Sequence, residues 1–367
     1  MNLLISILTN YTEMHGTMSI DFIDDICRRA GWKALIFSTI RNGDKLYSND
    51  ILTVVNMPFY KITPANKDPY NIELELFFNS NICKYGNLDN VFLFQDSHLW
   101  RYIYKPIGDA KIHAFIRIFL NELDKSYNKI LTHSEYILEH KESIKIMCES
   151  ETEMINSAYS IVCAAPSVQN ILIADYGILP EKISVIESFS DKIPILLTHD
   201  ILPDLNFLDI IIPGRNDLHK GSYRLGNSTQ FNVILHSNSF KLFSGTTSQQ
   251  WEELKIEWYN LYTHISFVAF PAFYETRGLL LQEAMALGKV VLVSADSAGL
   301  SEQVTHGYNG FIIDFDSNWE DQLKSIICNY DLNLVRNTAR NNIRDLFYKK
   351  PFRDGLVNYL KGYNYDV

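Results

Sequence analysis

Between Glu275 and Gly288 the chain reads E-T-R-G-L-L-L-Q-E-A-M-A-L-G, which sets two carboxylates eight positions apart around a glycine. An apolar run at 265–269, closed by Pro271, comes just before, so the predicted order is strand, turn, helix. The first N–H groups of a helix lack intrahelical partners and lie at the positive end of its macrodipole, which makes the turn at Gly278, Leu279 and Leu280 a seat for phosphate. Gly278 has no Cβ, so an anion can come close to its backbone. Glu283 falls a little over one turn into the helix and Glu275 lies before it. That separation is too large for a shared proton between an acid and a base. The two carboxylates suit different hydroxyl-bearing parts of one ligand with phosphate in its middle, a description that a nucleotide-sugar meets.

Arg215 and Lys220 follow the apolar stretch 207–212 and are candidates for a diphosphate, Arg as a bidentate fork and Lys as a movable point charge. Together they would neutralise charge building on a departing nucleoside diphosphate, the work that a divalent metal does elsewhere. Asp314-Phe315-Asp316 has the D-x-D spelling of a metal site, but its place between the apolar 311–313 and Ser317-Asn318-Trp319-Glu320 suits a turn and the N-cap of the next helix. No metal or other cofactor is expected. Each of these residues has an ordinary reading as well. A glutamate pair in a helix is commonly solvated surface, and Arg or Lys in a polar loop is commonly a solvated cation. The glycine turn and the A-M-A-x-G that lets the helix pack tightly shift the balance toward a ligand site. In the N-terminal half, Gly16 follows the first strand and His98 follows the strand at 91–94, both where doubly wound sheets put ligands. Gly16 is a candidate for phosphate approach. His98 is read equally as a group near the reacting sugar and as a loop histidine packed by Trp100 and Tyr102. The run His98 to Lys105 mixes aromatics with cations, as a lipid headgroup region or a stacked acceptor sugar would require; core aromatics are the commoner explanation.

The elements that must position these residues alternate. Strand patterns at 3–8, 34–38, 91–94, 111–118, 129–132 and 160–163 interleave with helical ones, such as 19–30 stopped by Gly31, and predict a parallel sheet. The pattern restarts at 207–212, which places a domain boundary near 190. A chain of 367 residues, 47% apolar and 13% aromatic, can bury two cores. A net charge of −10 argues against a nucleic-acid binder, which needs clustered Lys and Arg, and any basic patch must be local. Five cysteines without a C-x-x-C pair suggest neither a disulfide framework nor a zinc site and suit a reducing cytoplasm. No segment reaches the roughly 18 apolar residues of a membrane span.

The Glu275–Glu283 block, with Ala284-Met285-Ala286 and Gly288, resembles the E-x7-E element of the retaining GT-B glycosyltransferases of family 4, the glycosyltransferases group 1. The likeness continues in Val290-Val291-Leu292-Val293-Ser294, Ala298-Gly299-Leu300-Ser301-Glu302 and Asn309-Gly310-Phe311. Upstream, Gly214-Arg215 and Lys220-Gly221 are similar to the family's G-R…K-G element, and Ala164-Ala165-Pro166-Ser167 and Lys182 to Ile186 to the end of its first domain. The chain departs from it at Thr276, at Leu280, at His236-Ser237-Asn238 and in having one glycine, Gly16, where a pair is usual. The resemblance implies an α/β GT-B fold of two Rossmann-like doubly wound domains facing each other across a cleft. Residues 1–190 would form the acceptor domain, 191–345 the nucleotide-sugar donor domain, and 346–367 a C-terminal helix crossing back. It implies metal-independent transfer of a sugar from a nucleotide-sugar to the hydroxyl of a glycan or lipid-linked acceptor, with retention at the anomeric carbon. Glu275 would then hold sugar hydroxyls, Glu283 the ribose, and Arg215, Lys220 and the Gly278–Leu280 amides the diphosphate. The expected setting is glycan, polysaccharide or glycolipid biosynthesis in the cytoplasm, with peripheral contact at the inner face of a membrane left open. A nucleotide-sugar 2-epimerase of the same fold and a non-catalytic GT-B-like partner subunit are the competing readings.

Overall fold

Strands covered by helices on both faces lose polar alternation and become continuous apolar runs, the mark of a parallel sheet. The computed structural model contains two such sheets and describes residues 1–8, 20–38, 48–56, 72–94, 100–116, 122, 125, 145, 148–190, 192–199, 209–213, 218–225, 228, 230–236 and 265–363. The first sheet comprises β1 (Asn2–Leu8), β2 (Lys33–Ser38), β3 (Leu52–Asn56), β4 (Asn90–Phe94), β5 (Lys111–Ile116), β6 (Ser160–Cys163) and β7 (Ile183–Val185), in the order β3-β2-β1-β4-β5-β6-β7 with every pair parallel. The second comprises β8 (Asp209–Pro213), β9 (Asn232–His236), β10 (Phe267–Phe270), β11 (Val290–Ser294) and β12 (Phe311–Ile313), in the order β12-β11-β10-β8-β9, again all parallel.

Contacts divide the chain into Met1–Glu187 with Phe352–Val367, and Ser188–Pro351. In the first unit, α1 (Ile20–Ala30) buries Phe22, Ile23, Ile26, Cys27 and Ala30 on one face and stops at Gly31, whose φ of 76° is left-handed. Helices α2 (Ile72–Ile82), α3 (Trp100–Ile107) and α4 (Pro166–Ala174) follow, along with a helix through 148–157. The strand expected at 129–132, the Arg117 end of the strand expected at 111–118, and His98 and Gly16 lie outside the described residues. β3 is an element that the sequence pattern did not announce.

The second unit adds α5 (Ile193–Leu196), α6 (Leu279–Ala286), α7 (Trp319–Asn329) and α8 (Leu332–Lys349). Its sheet is packed on both sides. Val268 and Phe270 of β10 enter one core with Leu281 and Met285, while Phe267 and Ala269 enter another with Trp319 and Leu323. The final helix, α9 (Phe352–Lys361), belongs to the first unit, where Phe352, Leu356, Val357 and Leu360 join the core of Leu4, Ile23 and Phe92. The Phe352 and Phe22 rings stack at 5.8 Å, and Trp32 Nε1 donates to Leu360 O at 3.1 Å.

Where α9 ends, a buried polar cluster closes the N-terminal edge of the first sheet. His113 of β5 places Nε2 3.0 Å from Asn90 Oδ1 and Nδ1 2.7 Å from Ser160 Oγ. Because Asn90 Nδ2 is committed to Asn2 Oδ1 at 2.9 Å, the oxygen of Asn90 faces the histidine, so the proton belongs on Nε2 and the Ser160 hydroxyl donates to Nδ1. Tyr359 shares a hydrogen bond with the same serine, and the Tyr363 ring lies 4.0 Å from the imidazole. Burial, helped by Lys111, lowers the His113 pKa to about 4.

Candidate active site

The candidate residues of the second unit converge at the carboxyl edge of its sheet, the edge where open α/β sheets take ligands. After β8 a 3-10 turn, Leu218–Lys220, leads into Gly221, whose φ is 67°. A Cβ there would sit 2.1 Å from Pro271 O, so the position requires glycine for space as well as conformation. This close approach carries Lys220 to the segment after β10, where its ammonium forms an ion pair with the Glu275 carboxylate; the two side chains are 24% and 19% exposed. The cation expected at a diphosphate and the carboxylate expected at a sugar are therefore partners.

Glu275 is held by its backbone to the turn that follows β11. Gly299 N donates to Glu275 O at 2.9 Å, and a Cβ on Gly299 would meet Thr276 O at 1.6 Å. Gly278, at φ 59°, is the N-cap of α6, and a Cβ there would meet Leu300 Cδ2 at 2.1 Å. The glycines at 278 and 299 thus let two turns interlock, and the start of α6 lies beside Glu275, since a Cβ on Gly278 would be 3.5 Å from Glu275 Cγ; Leu279 and Leu280 are half-buried. Glu283 is buried at 3% exposure. Its Oε1 accepts from Ser190 Oγ at 2.7 Å and lies 3.6 Å from Lys192 Nζ.

Arg224, in the 3-10 turn Ser222–Leu225, was not singled out by the sequence, yet it ties this edge together. Its Nε and Nη2 donate to the two oxygens of Asp316 at 2.9 and 2.8 Å, and its Nη1 to Pro271 O, Ser294 Oγ and Asp296 Oδ1 at 3.0, 2.9 and 3.1 Å. The guanidinium lies 4.1 Å from the Phe273 ring centre. Loops after β8, β10, β11 and β12 are thereby fixed to one side chain. The D-x-D segment forms the expected turn but does not cap the next helix. Asp314 Oδ1 accepts from Asp316 N at 3.1 Å in a turn, but Asn318 holds the N-cap position of α7, and Asp316 serves Arg224 instead. Among the described residues no three His, Cys, Asp or Glu side chains are grouped to hold a metal ion.

Of the residues singled out in the sequence, Lys220, Glu275, Gly278, Leu279, Leu280 and Glu283 are brought to this edge or to the helix behind it. Arg215, His98 and Gly16 lie outside the described residues, as does Asn238. Sequence reasoning missed Arg224, Ser190 and Lys192. Only the place of Arg224 three residues beyond the glycine of K-G hinted at a role, while the partners of Ser190 and Lys192 stand some ninety positions away.

Residues 249–345 match the family described as glycosyl transferases group 1. No curated protein sequence matches the chain significantly. Among solved structures, a glycosyltransferase from Rickettsia africae superimposes with a TM-score of 0.62 at 16% identity, covering 100% of this chain and 99% of its own. Sucrose-phosphate synthase from Thermosynechococcus elongatus gives 0.68 at 14% identity, with 99% of each chain covered. HepE from Anabaena, in complex with UDP and glucose, gives 0.59 at 13% identity over 98% of this chain and 99% of that one. The fold is GT-B, an α/β architecture of two parallel sheets with flanking helices. Together, fold and matched segment support a glycosyltransferase. No helix among the described residues is long and apolar enough to cross a membrane.

Proposed function

We infer that the chain is a retaining glycosyltransferase that moves a sugar from a nucleotide-sugar donor to the hydroxyl of a glycan or lipid-linked acceptor. The observation that carries this is the Lys220–Glu275 pair beside the N-terminus of α6, with Glu283 behind it on the same helix. HepE, similar in fold, binds UDP and UDP-glucose, which favours a nucleotide donor.

In this reading the α6 amides and Lys220, with Arg215, take the diphosphate, Glu275 the sugar hydroxyls and Glu283 the ribose. The acceptor oxygen forms its bond to the anomeric carbon on the face from which the phosphate oxygen departs. The electron pair of the breaking bond goes to the nucleoside diphosphate, which also receives the acceptor proton. Lys220 and the helix terminus stabilise that leaving charge, so no metal is required. The work would be done at the cytoplasmic side, in glycan or glycolipid assembly.

Donor turnover tests this directly. A transferase consumes nucleotide-sugar only when acceptor is present, an epimerase alters it without one, and a non-catalytic subunit does neither. Binding comes first: at 100 times its dissociation constant, a nucleoside diphosphate should stabilise the native state by about 2.7 kcal/mol in a thermal-shift screen. Absence of any shift with uridine, guanosine and adenosine diphosphates would remove the donor site from this edge.

A further inference from the structure

Glu283 is held by a second layer of groups that neither the family match nor the proposed roles account for. Ser190, 2% exposed, donates from Oγ to Glu283 Oε1 at 2.7 Å. The segment that carries Ser190 is fastened by two side chains, Gln282 and Arg277, which a third, Gln303, braces. Gln282, fully buried beside Glu283 on α6, accepts from Ser190 N at 3.0 Å and donates to Ser188 O at 3.1 Å and Gln303 Oε1 at 3.0 Å. Arg277 Nε donates to Ser188 O at 3.2 Å, and its guanidinium lies 5.1 Å from the Phe189 ring centre. Gln303 Nε2 in turn donates to Arg277 O at 2.5 Å and to Gly299 O at 2.7 Å.

The clamp therefore runs from Gly299, which holds Glu275, through Gln303 and Gln282 to Ser190, which holds Glu283. A glutamate has three side-chain torsions and no intrinsic preference for one carboxylate plane. Two groups on the Ser190 segment, the hydroxyl and the Lys192 ammonium, meet at one oxygen and select a plane. A carboxylate presented in one plane can accept from neighbouring hydroxyls without first losing rotamer freedom, which favours binding.

We propose that Ser190 is a positioning residue for the ribose of the donor. By holding Oε1 of Glu283, it orients the carboxylate toward the two ribose hydroxyls and sets the preference for ribonucleotides over nucleotides that lack them. This rests on the placement of Glu283 at the ribose. Gln282 supports it by fixing the backbone of Ser190, and the effect is on binding, since a ribose contact is made equally in the ground and transition states.

The test is calorimetric binding of whichever of uridine, guanosine or adenosine diphosphate binds most tightly, alongside its 2′,3′-dideoxy counterpart. Wild type should prefer the ribonucleotide by about tenfold or more, because a site built for hydroxyls leaves its polar groups unpaired without them. Ser190→Ala should weaken the ribonucleotide alone, by about tenfold, so that the preference collapses, while kcat at saturating donor stays within about twofold. Ser190→Thr, which keeps the hydroxyl, should restore both. Full preference in Ser190→Ala overturns the proposal, as does equal weakening of both nucleotides, which would mark a structural role. If wild type itself shows no preference, the ribose placement of Glu283 is what fails.

Discussion

Lys220 and Glu275 neutralise one another before any donor arrives, and a donor with a negative diphosphate would reassign that cation. The two side chains keep 24% and 19% of their surface in contact with solvent, and a solvent-reachable ion pair adds about 0–1 kcal/mol to stability, so its removal should be read mainly in rate. Lys220→Ala is expected to lower kcat by about a hundredfold or more, on the order of 3 kcal/mol of lost charge stabilisation. Glu275→Gln should likewise depress kcat with little change in KM, since contacts to the reacting sugar strengthen as the anomeric carbon gains charge. Steady-state kinetics decide both, and values within a few-fold of wild type for the pair would remove them from the chemistry. Asp316 gives a different expectation from the one its exposed D-x-D setting invites. It anchors Nε and Nη2 of Arg224, whose side chain is only 3% exposed. Asp316→Asn should therefore lower stability by about 1 kcal/mol in urea unfolding, because a buried guanidinium loses a charged partner while Asp296 remains. Unfolding midpoints identical to wild type would show that Asp296 suffices.

The elements most legible in the sequence were those specified by their own residues. The apolar runs that became β1, β2, β4 and β6 and the periodic face of α1 need no distant partner to be recognised, and the glycine turn before α6 announces itself by composition. β3 escaped because Leu52–Asn56 alternates buried and half-buried positions where β4 and β6 are buried throughout, and it becomes a strand by pairing with β2 along Ala34 to Ser38. In the candidate site the same divide holds. Glu275, Gly278 and Glu283 share one segment, whereas Arg224 finds Asp316 across ninety-two positions and Ser190 finds Glu283 across ninety-three. His113 belongs to this second class. Its partners Asn90 and Ser160 stand 23 and 47 positions away, and together they make it the centre of a buried cluster joining β4, β5, β6 and the chain after α9. Its pKa is lowered from 6.5 to about 4, chiefly by burial. The unfolded chain thus binds the extra proton first, between those two values. Stability must rise with pH across that window and be lost on acidification, by up to the order of 3 kcal/mol. Denaturant unfolding at pH 7 and pH 4.5 should show a smaller acid loss in His113→Gln than in wild type. Equal losses would assign the acid sensitivity to other groups.

At the scale of the molecule, chain order and core membership disagree: the first unit is completed by the last helix. Phe352, Leu356, Val357 and Leu360 are each at most 5% exposed and pack among Leu4, Phe22, Ile23, Trp32 and Phe92. Gly355 lets α9 pass close to the end of the first unit, since a Cβ there would come within 2.8 Å of Ile186 Cγ2. Each large apolar side chain buried in this way contributes roughly 1.5–3 kcal/mol, so four of them rival the 5–15 kcal/mol that holds a typical domain together. The second unit, Ser188–Pro351, has both of its cores without the tail. Ending the chain at Pro351 should therefore abolish the cooperative unfolding of the first unit while leaving that of the second. A nucleoside diphosphate should still raise the remaining transition in calorimetry, because every described group assigned to the diphosphate and ribose lies between Ser188 and Pro351. Survival of both transitions in the shortened chain would show that α9 is dispensable to the first core. Loss of both would show that the second unit does not fold on its own.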